Sequence, residues 1–278
     1  MKRMCLLLTV VLLGMPATLQ ADENVYRNVL PSVVWLQVHL SEHQDSYGTG
    51  VVVDSVRNWI LTNAHVVREN QKVSVIFPQK INGRVIAERE FYRKNMDNLT
   101  VPGKIILLDK TKDLAIIQVK TIPPQARAIL LAPAVVTPGQ SLHAIGNPGK
   151  MGALWVYTSG HVRQTYRKKW RARTNTGKTM ALQAQVVETN VAINPGDSGG
   201  PVVNDKGELV AIVSSYDHDA ELVSTCIALS EIQKMLANVK PSSDSTVKQD
   251  SGKIHKSLYT PTRLPEYLPD VRSVEKSK

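Results

Sequence analysis

Apolar residues in this chain come in short runs broken by Gly, Pro or charge, with little helical spacing. Val33, Val34, Leu36 and Val38, interrupted by Trp35 and Gln37, predict a first strand after a short lead-in from residue 25. Gly48-Thr49-Gly50 leads into a buried strand at Val51–Val53, and Asn58–Thr62 predicts the next. The two pair as a hairpin around Asp54–Arg57. Lys72–Phe77 alternates, and Lys104–Leu108 and Leu114–Val119 predict two more strands. The stretch 78–104 is polar, charged and irregular, and reads as a long surface excursion. Pro123, Pro124, Pro133 and Pro138 mark a crossover. The strand pattern then restarts at 141–145, 156–161, 184–189, 201–203, 209–213 and 224–229. The final element, Ser230–Val239, has helical spacing. Ile232, Met235, Leu236 and Val239 share a face, and Ser230 is placed to cap it. About six strands, a linker, about six strands and a helix predict an all-β fold. Its expected form is two packed six-stranded antiparallel β-barrels, over about 25–120 and 135–230, with a C-terminal helix.

Composition narrows the picture. Of 278 residues 42% are hydrophobic but only 5% aromatic, so the core must be built from Val, Ile, Leu and Ala. Residues 1–21 read as a signal peptide. Lys2 and Arg3 precede an uncharged run from Met4 to Leu13 that is too short to span a bilayer, and Ala21 offers a small residue before a cut. No later segment is long and apolar enough to cross a membrane. Residues 240–278 are poor in apolar side chains and read as a disordered tail. The domain is therefore expected over 22–239. Of the two cysteines, Cys5 leaves with the signal and Cys226 remains, so no internal disulfide forms. For an exported protein this points to a bacterial periplasm or medium. The net charge of +10 falls to +8 once Lys2 and Arg3 are removed, a balance that favours anionic partners.

Three short motifs carry candidate chemistry. They are Thr62-Asn63-Ala64-His65-Val66-Val67, Asp113-Leu114-Ala115, and Asn194-Pro195-Gly196-Asp197-Ser198-Gly199-Gly200-Pro201. A serine hydroxyl attacks a carbonyl only when a base takes its proton, and the developing oxyanion needs N–H groups already aimed at it. Glycines around Ser198 permit the tight turn this demands, and Gly196 has no side chain to screen its N–H. The oxyanion hole is therefore assigned to the N–H groups of Gly196 and Ser198. Alone, each motif has a structural explanation: a Gly-rich turn, a packed histidine, a turn aspartate. Together they supply nucleophile, base and orienting carboxylate, each at the edge of a strand.

The order His, Asp, Ser resembles that of chymotrypsin-like enzymes rather than subtilisin or the α/β-hydrolases. Over about residues 25–237 the chain resembles the trypsin-like superfamily, and most of all its HtrA/Deg branch. The likeness rests on Thr49-Gly50, Thr62–Val67, Asp113-Leu114-Ala115, Ala144–Pro148 and Val187–Pro201. It implies a serine endopeptidase acting on polypeptides without a cofactor, with His65 as base, Asp113 as its orienter and Ser198 as nucleophile. Two departures stand out. HtrA enzymes usually carry a PDZ domain after the protease, and about 40 residues are too few for one. They also commonly have Asn before the serine, where this chain has Asp197, a carboxylate whose partner the sequence does not reveal. By analogy, Ala192 and Ile193 form the base of the specificity pocket, with walls from Ser214, Ser215 and Tyr216 and from about Cys226. Such a pocket is apolar and shallow, which implies small or medium aliphatic side chains before the cut. Arg167–Arg173 is expected to lie between strands, either as a solvated loop or as an anionic docking patch enriched by Trp170. His39, His43, His143, His161, His218 and His255 are scattered without metal-ligand spacing. The competing reading is a catalytically silent binding module that keeps the fold and uses its basic surface.

Overall fold

The computed structural model describes residues 17–41, 44–68, 72–173, 179–216 and 223–239. Of the expected signal peptide at 1–21, residues 1–16 lie outside the described residues, as does the whole of the expected tail at 240–278.

The lead-in is helical: α1 (Ala17–Val29) and a 3-10 turn (Leu30–Ser32) deliver the chain into β1 (Val33–Ser41). Then come β2 (Gln44–Asp54), β3 (Trp59–Thr62), the single turn α2 (Ala64–Val67) and β4 (Lys72–Ile76). An excursion holds the short strands β5 (Lys80–Ile81) and β6 (Arg84–Val85), then α3 (Arg89–Lys94) and α4 (Met96–Leu99). It returns through β7 (Thr100–Asp109) and β8 (Leu114–Val119). The larger strands close a six-stranded barrel in the order β1-β2-β3-β8-β7-β4. After the linker come β9 (Ser141–Gly146), β10 (Val156–Arg173), β11 (Thr179–Thr189), β12 (Pro201–Val203), β13 (Leu209–Tyr216) and β14 (Ser224–Ala228). These six close in the order β10-β11-β14-β13-β12-β9, and α5 (Leu229–Ala237) follows.

Strand alternation explains why two cores form. Along β8, Ala115 and Ile117 point into the first barrel with Val34, Leu36, Val52 and Ile60. Leu114 and Ile116 point the other way, into the larger core that they share with Val33, Trp35, Leu61 and the second barrel. A strand covered on both faces must be apolar at consecutive positions, which is why Trp59–Leu61 of β3 and Leu114–Ile117 of β8 are unbroken runs.

Three expectations are corrected. The 78–104 excursion is not merely surface, because Tyr92 of α3 is 0% exposed. Its hydroxyl donates to the Ile86 carbonyl (2.8 Å) and accepts from the Gln79 N–H (2.9 Å) and the Trp155 indole (3.1 Å). Residues 167–173 are strand rather than loop. β10 runs 18 residues and pairs with β11, placing Arg167 opposite Gln185, Lys169 opposite Gln183 and Arg171 opposite Ala181. Trp170 on this strand packs against the core instead of enlarging the basic face. Finally, Ser230 does not cap α5. The helix starts at Leu229 with Ala228 in the cap position, and no side chain caps it. Glu231 in its first turn instead turns to β11, where it accepts the Gln185 N–H at 3.0 Å.

Candidate active site

β3 ends at Thr62, and Asn63 is held extended at the mouth of α2. Asn63 Nδ2 donates to the Asp113 carbonyl at 2.9 Å, tying this end of β3 to the start of β8. The one-turn helix then carries His65 toward the cleft between the barrels, with its side chain 20% exposed. Asp113 sits at φ +58 in a turn where Asp109 Oδ1 accepts the N–H groups of Thr111 and Lys112. Its carboxylate is 1% exposed. Such a buried charge needs full hydrogen bonding, and it has it. Oδ1 accepts the His65 N–H at 3.0 Å, Nδ1 of His65 lies 3.0 and 2.8 Å from the two oxygens, and Ser214 Oγ donates to Oδ2 at 2.8 Å.

A carboxylate only accepts, so His65 Nδ1 carries the proton and Nε2 is left as the basic nitrogen. Burial disfavours the charged ring. The charge and hydrogen bond of Asp113 outweigh it, and the pKa of His65 rises above its ordinary 6.5.

Ser198 lies on the turn between β11 and β12. The Asp197 N–H donates to the Asn194 carbonyl (3.0 Å) with Gly196 at φ +108, the left-handed third position of a type II turn. A Cβ on Gly196 would stand 2.5 Å from the Asn147 carbonyl oxygen, so no other residue fits there. Gly199, at φ +85, passes so close to β2 and β3 that a Cβ would overlap the Thr49 carbonyl and the Thr62 hydroxyl. Among the described residues, the N–H groups of Gly196 and Ser198 have no protein acceptor. Ser198 Oγ donates to the Ser214 carbonyl at 3.3 Å rather than to His65.

Two further residues shape the site. Thr49 of β2 is the clasp between barrels: its N–H donates to the Ser198 carbonyl (2.9 Å) and its hydroxyl to the Gly196 carbonyl (2.8 Å). In turn its own carbonyl accepts from Thr62 Oγ1 at 2.7 Å. The sequence showed Thr49 only as part of a familiar Thr-Gly pair. Ser214, expected as a pocket wall, is buried and holds Asp113. Of the other expected pocket residues, Ala192 is exposed, and Ile193 and Ser215 are half-buried. The Tyr216 side chain lies outside the described residues. Cys226 is 0% exposed between Val187 and Val213, its thiol pushed up to about 12 by burial, and it presents no surface to a ligand here. A small cavity does open beside this turn, lined by Ile145, Val156, Ile193, Val213 and Asp197 among others.

Asp197 reaches down into that cavity. It is 7% exposed, with Oδ2 accepting the Asn194 N–H at 2.8 Å and Oδ1 without a partner. Burial raises its pKa to about 6, against the Asn194 hydrogen bond and the charge of Arg89. Among the described residues, no three His, Cys, Asp or Glu side chains could hold a metal ion, and no helix is long and apolar enough to cross a membrane.

Comparison with known proteins agrees with this geometry. Protease Do-like 1, chloroplastic, of Arabidopsis thaliana is 29% identical over 213 residues, covering 71% of this chain and 42% of that protein. Serine protease HtrA-like of Staphylococcus aureus is 26% identical over 204 residues, covering 71% of this chain and 24% of that protein. The chain thus spans less than half the length of either relative. Among solved structures, the Rv3671c protease of M. tuberculosis in its active form superposes with a TM-score of 0.63 at 20% identity. That match covers 87% of this chain and 96% of that one. Deg5 gives 0.57 at 22%, covering 79% and 94%. At such identities the superpositions speak for the two-barrel fold. The trypsin-like peptidase domain matches residues 48–212, a span that includes His65, Asp113, Ser198 and both halves of the cleft. By this match the chain belongs to the trypsin-like peptidase family.

Proposed function

We propose that the chain is a serine endopeptidase acting through an acyl-enzyme. His65 Nε2 takes the Ser198 proton as Oγ bonds to the substrate carbonyl carbon. The oxyanion is met by the N–H groups of Gly196 and Ser198. His65 returns the proton to the leaving amine as the C–N bond breaks, and water then repeats the sequence to free the acid. The observation that carries this reading is the Asp113 carboxylate, gripped by His65 on one side and Ser214 on the other, across the cleft from Ser198. Before attack, Oγ turns from the Ser214 carbonyl to His65.

Substrates are polypeptides with small or medium aliphatic residues before the cut, received beside the exposed Ala192 and the half-buried Ile193. Each methylene discriminates by about 1–3 kcal/mol, so selectivity is broad. Residues 1–21 direct export and are cleaved from the exported chain. Arg167, Lys169 and Arg171, exposed on β10 opposite neutral residues of β11, give a docking face for anionic polymers.

A fluorophosphonate tests the core of the proposal. Wild type should be labelled at Ser198 and cleave an unfolded protein such as casein. Ser198→Ala should do neither while keeping its thermal midpoint. Absence of labelling in wild type would favour the silent binding module. Dominant cleavage after Lys or Arg would overturn the pocket assignment and leave the triad standing.

A further inference from the structure

The turn that carries Ser198 rests on a second loop. The Gly149 N–H donates to the Pro195 carbonyl at 2.7 Å, and the Asn147 carbonyl lies directly beneath Gly196. What fixes residues 147–153 is the excursion from the first barrel, through Arg89 at the start of α3. The guanidinium donates to the carbonyls of Pro148 (2.7 Å), Met151 (3.0 Å) and Ala153 (3.5 Å), and the Arg89 backbone N–H donates to the Gly152 carbonyl (2.8 Å). The Leu154 N–H returns a bond to the Ala87 carbonyl at 2.8 Å. The guanidinium also lies over the Trp35 ring, 5.0 Å from its centroid.

The same charge acts through space on Asp197, without an ion pair between them. Its Oδ1 is buried without a hydrogen-bond partner, pressed against Gly146 where no Cβ would fit. The walls around it from β9, β10 and β13 are uncharged, and among the described residues Arg89 is the one charged group that acts on this carboxylate. Burial of Asp197 costs free energy that this attraction partly offsets.

We infer that Arg89 is a positioning residue for the oxyanion turn, holding it from below through the 147–153 loop and from within through the Asp197 carboxylate. Arg89 bonds to the loop and not to the Gly196 or Ser198 N–H groups, so it acts on them through the turn that carries them. An N–H displaced from the oxyanion raises the barrier to bond formation without loosening the bound peptide.

The inference rests on the peptidase reading, and the test separates the two. Kinetics on a peptide substrate and a pH titration of the Asp197 carboxyl by NMR are measured for wild type, Arg89→Ala and Arg89→Lys. Losing an oxyanion donor outright costs about 100- to 1,000-fold in kcat, so a displaced one in Arg89→Ala should cost roughly 10- to 100-fold, with KM within about two-fold. Without the Arg89 charge, Asp197 should titrate at higher pH than its value of about 6. Arg89→Lys restores the charge but not the fork across three carbonyls, so it should return the Asp197 titration and only part of kcat. A loss of stability alone would not move that titration. Wild-type kcat in Arg89→Ala, or an unmoved Asp197 titration, would overturn the inference. A wild-type chain that cleaves nothing would instead overturn the peptidase reading, and the titration would still judge Arg89.

Discussion

At the scale of single residues, the site depends on how one carboxylate is surrounded. Asp113 raises the pKa of His65, and this has two consequences of opposite sign. Protonated His65 is favoured in the folded chain, so its contribution to stability is present below about 6.5 and lost as pH rises through the higher folded value. The proposed base role needs the neutral ring, so kcat/KM should climb with pH through that same folded value, with its midpoint above 6.5. A profile flat from pH 5 to 8 would remove His65 from the base role. Ser214 sets the second residue-level expectation. Deleting its hydroxyl in Ser214→Ala withdraws one donor from a buried carboxylate, which costs about 1–3 kcal/mol of stability. The same change frees Asp113 to tilt, so kcat should drop while KM holds. Unchanged stability and rate would show that the 2.8 Å bond is incidental. His65, Asp113 and Ser198 were legible as candidates because their residue types fall in local motifs. Thr49 and Ser214 were not, because each meets its partner 147 or 101 positions away and has a common residue type.

At the scale of elements, alternation was a sound guide wherever a strand faces a core. It failed in the two segments whose order comes from elsewhere. The outer half of β10 sets Arg167, Lys169 and Arg171 on one face and Tyr166, Lys168 and Trp170 on the other, and its dense charge hid a strand that pairing with β11 and the packing of the two aromatics specify. The 78–104 excursion holds few apolar residues, yet its Tyr92 ring lies edge-on to Trp155 at 5.7 Å and its hydroxyl serves three partners. Tyr92→Phe should therefore cost about 1–3 kcal/mol by leaving the Gln79 N–H without an acceptor. Tyr92→Ala should cost about 3–5 kcal/mol, as expected for a truncated core aromatic. Urea melts would read both, and midpoints equal to wild type would return this segment to the surface.

At the scale of the whole molecule, both barrels close and the final helix ends by Ala237. A chain ending at Val239 should fold and keep its thermal midpoint within a few degrees. A collapse of the midpoint in this variant would mean that residues 240–278 supply part of the core. The two-barrel layout itself was legible, since twelve strand runs divided by a Pro-rich linker leave few other arrangements.

The Thr49 clasp has one more consequence. The proposed base His65 and its Asp113 carboxylate belong to the first barrel, the proposed nucleophile Ser198 and Ser214 to the second, and the bonds from Thr49 to Ser198 and Gly196 cross between them. Neither half holds a working set. If the chain is severed in the exposed linker near Val135, catalysis becomes a question of stoichiometry. Each fragment alone should be inert, and rate should return on mixing with second-order dependence on fragment concentration until reassociation saturates. Thr49→Val, lacking the hydroxyl that reaches Gly196, should demand more of each fragment to reach the same rate.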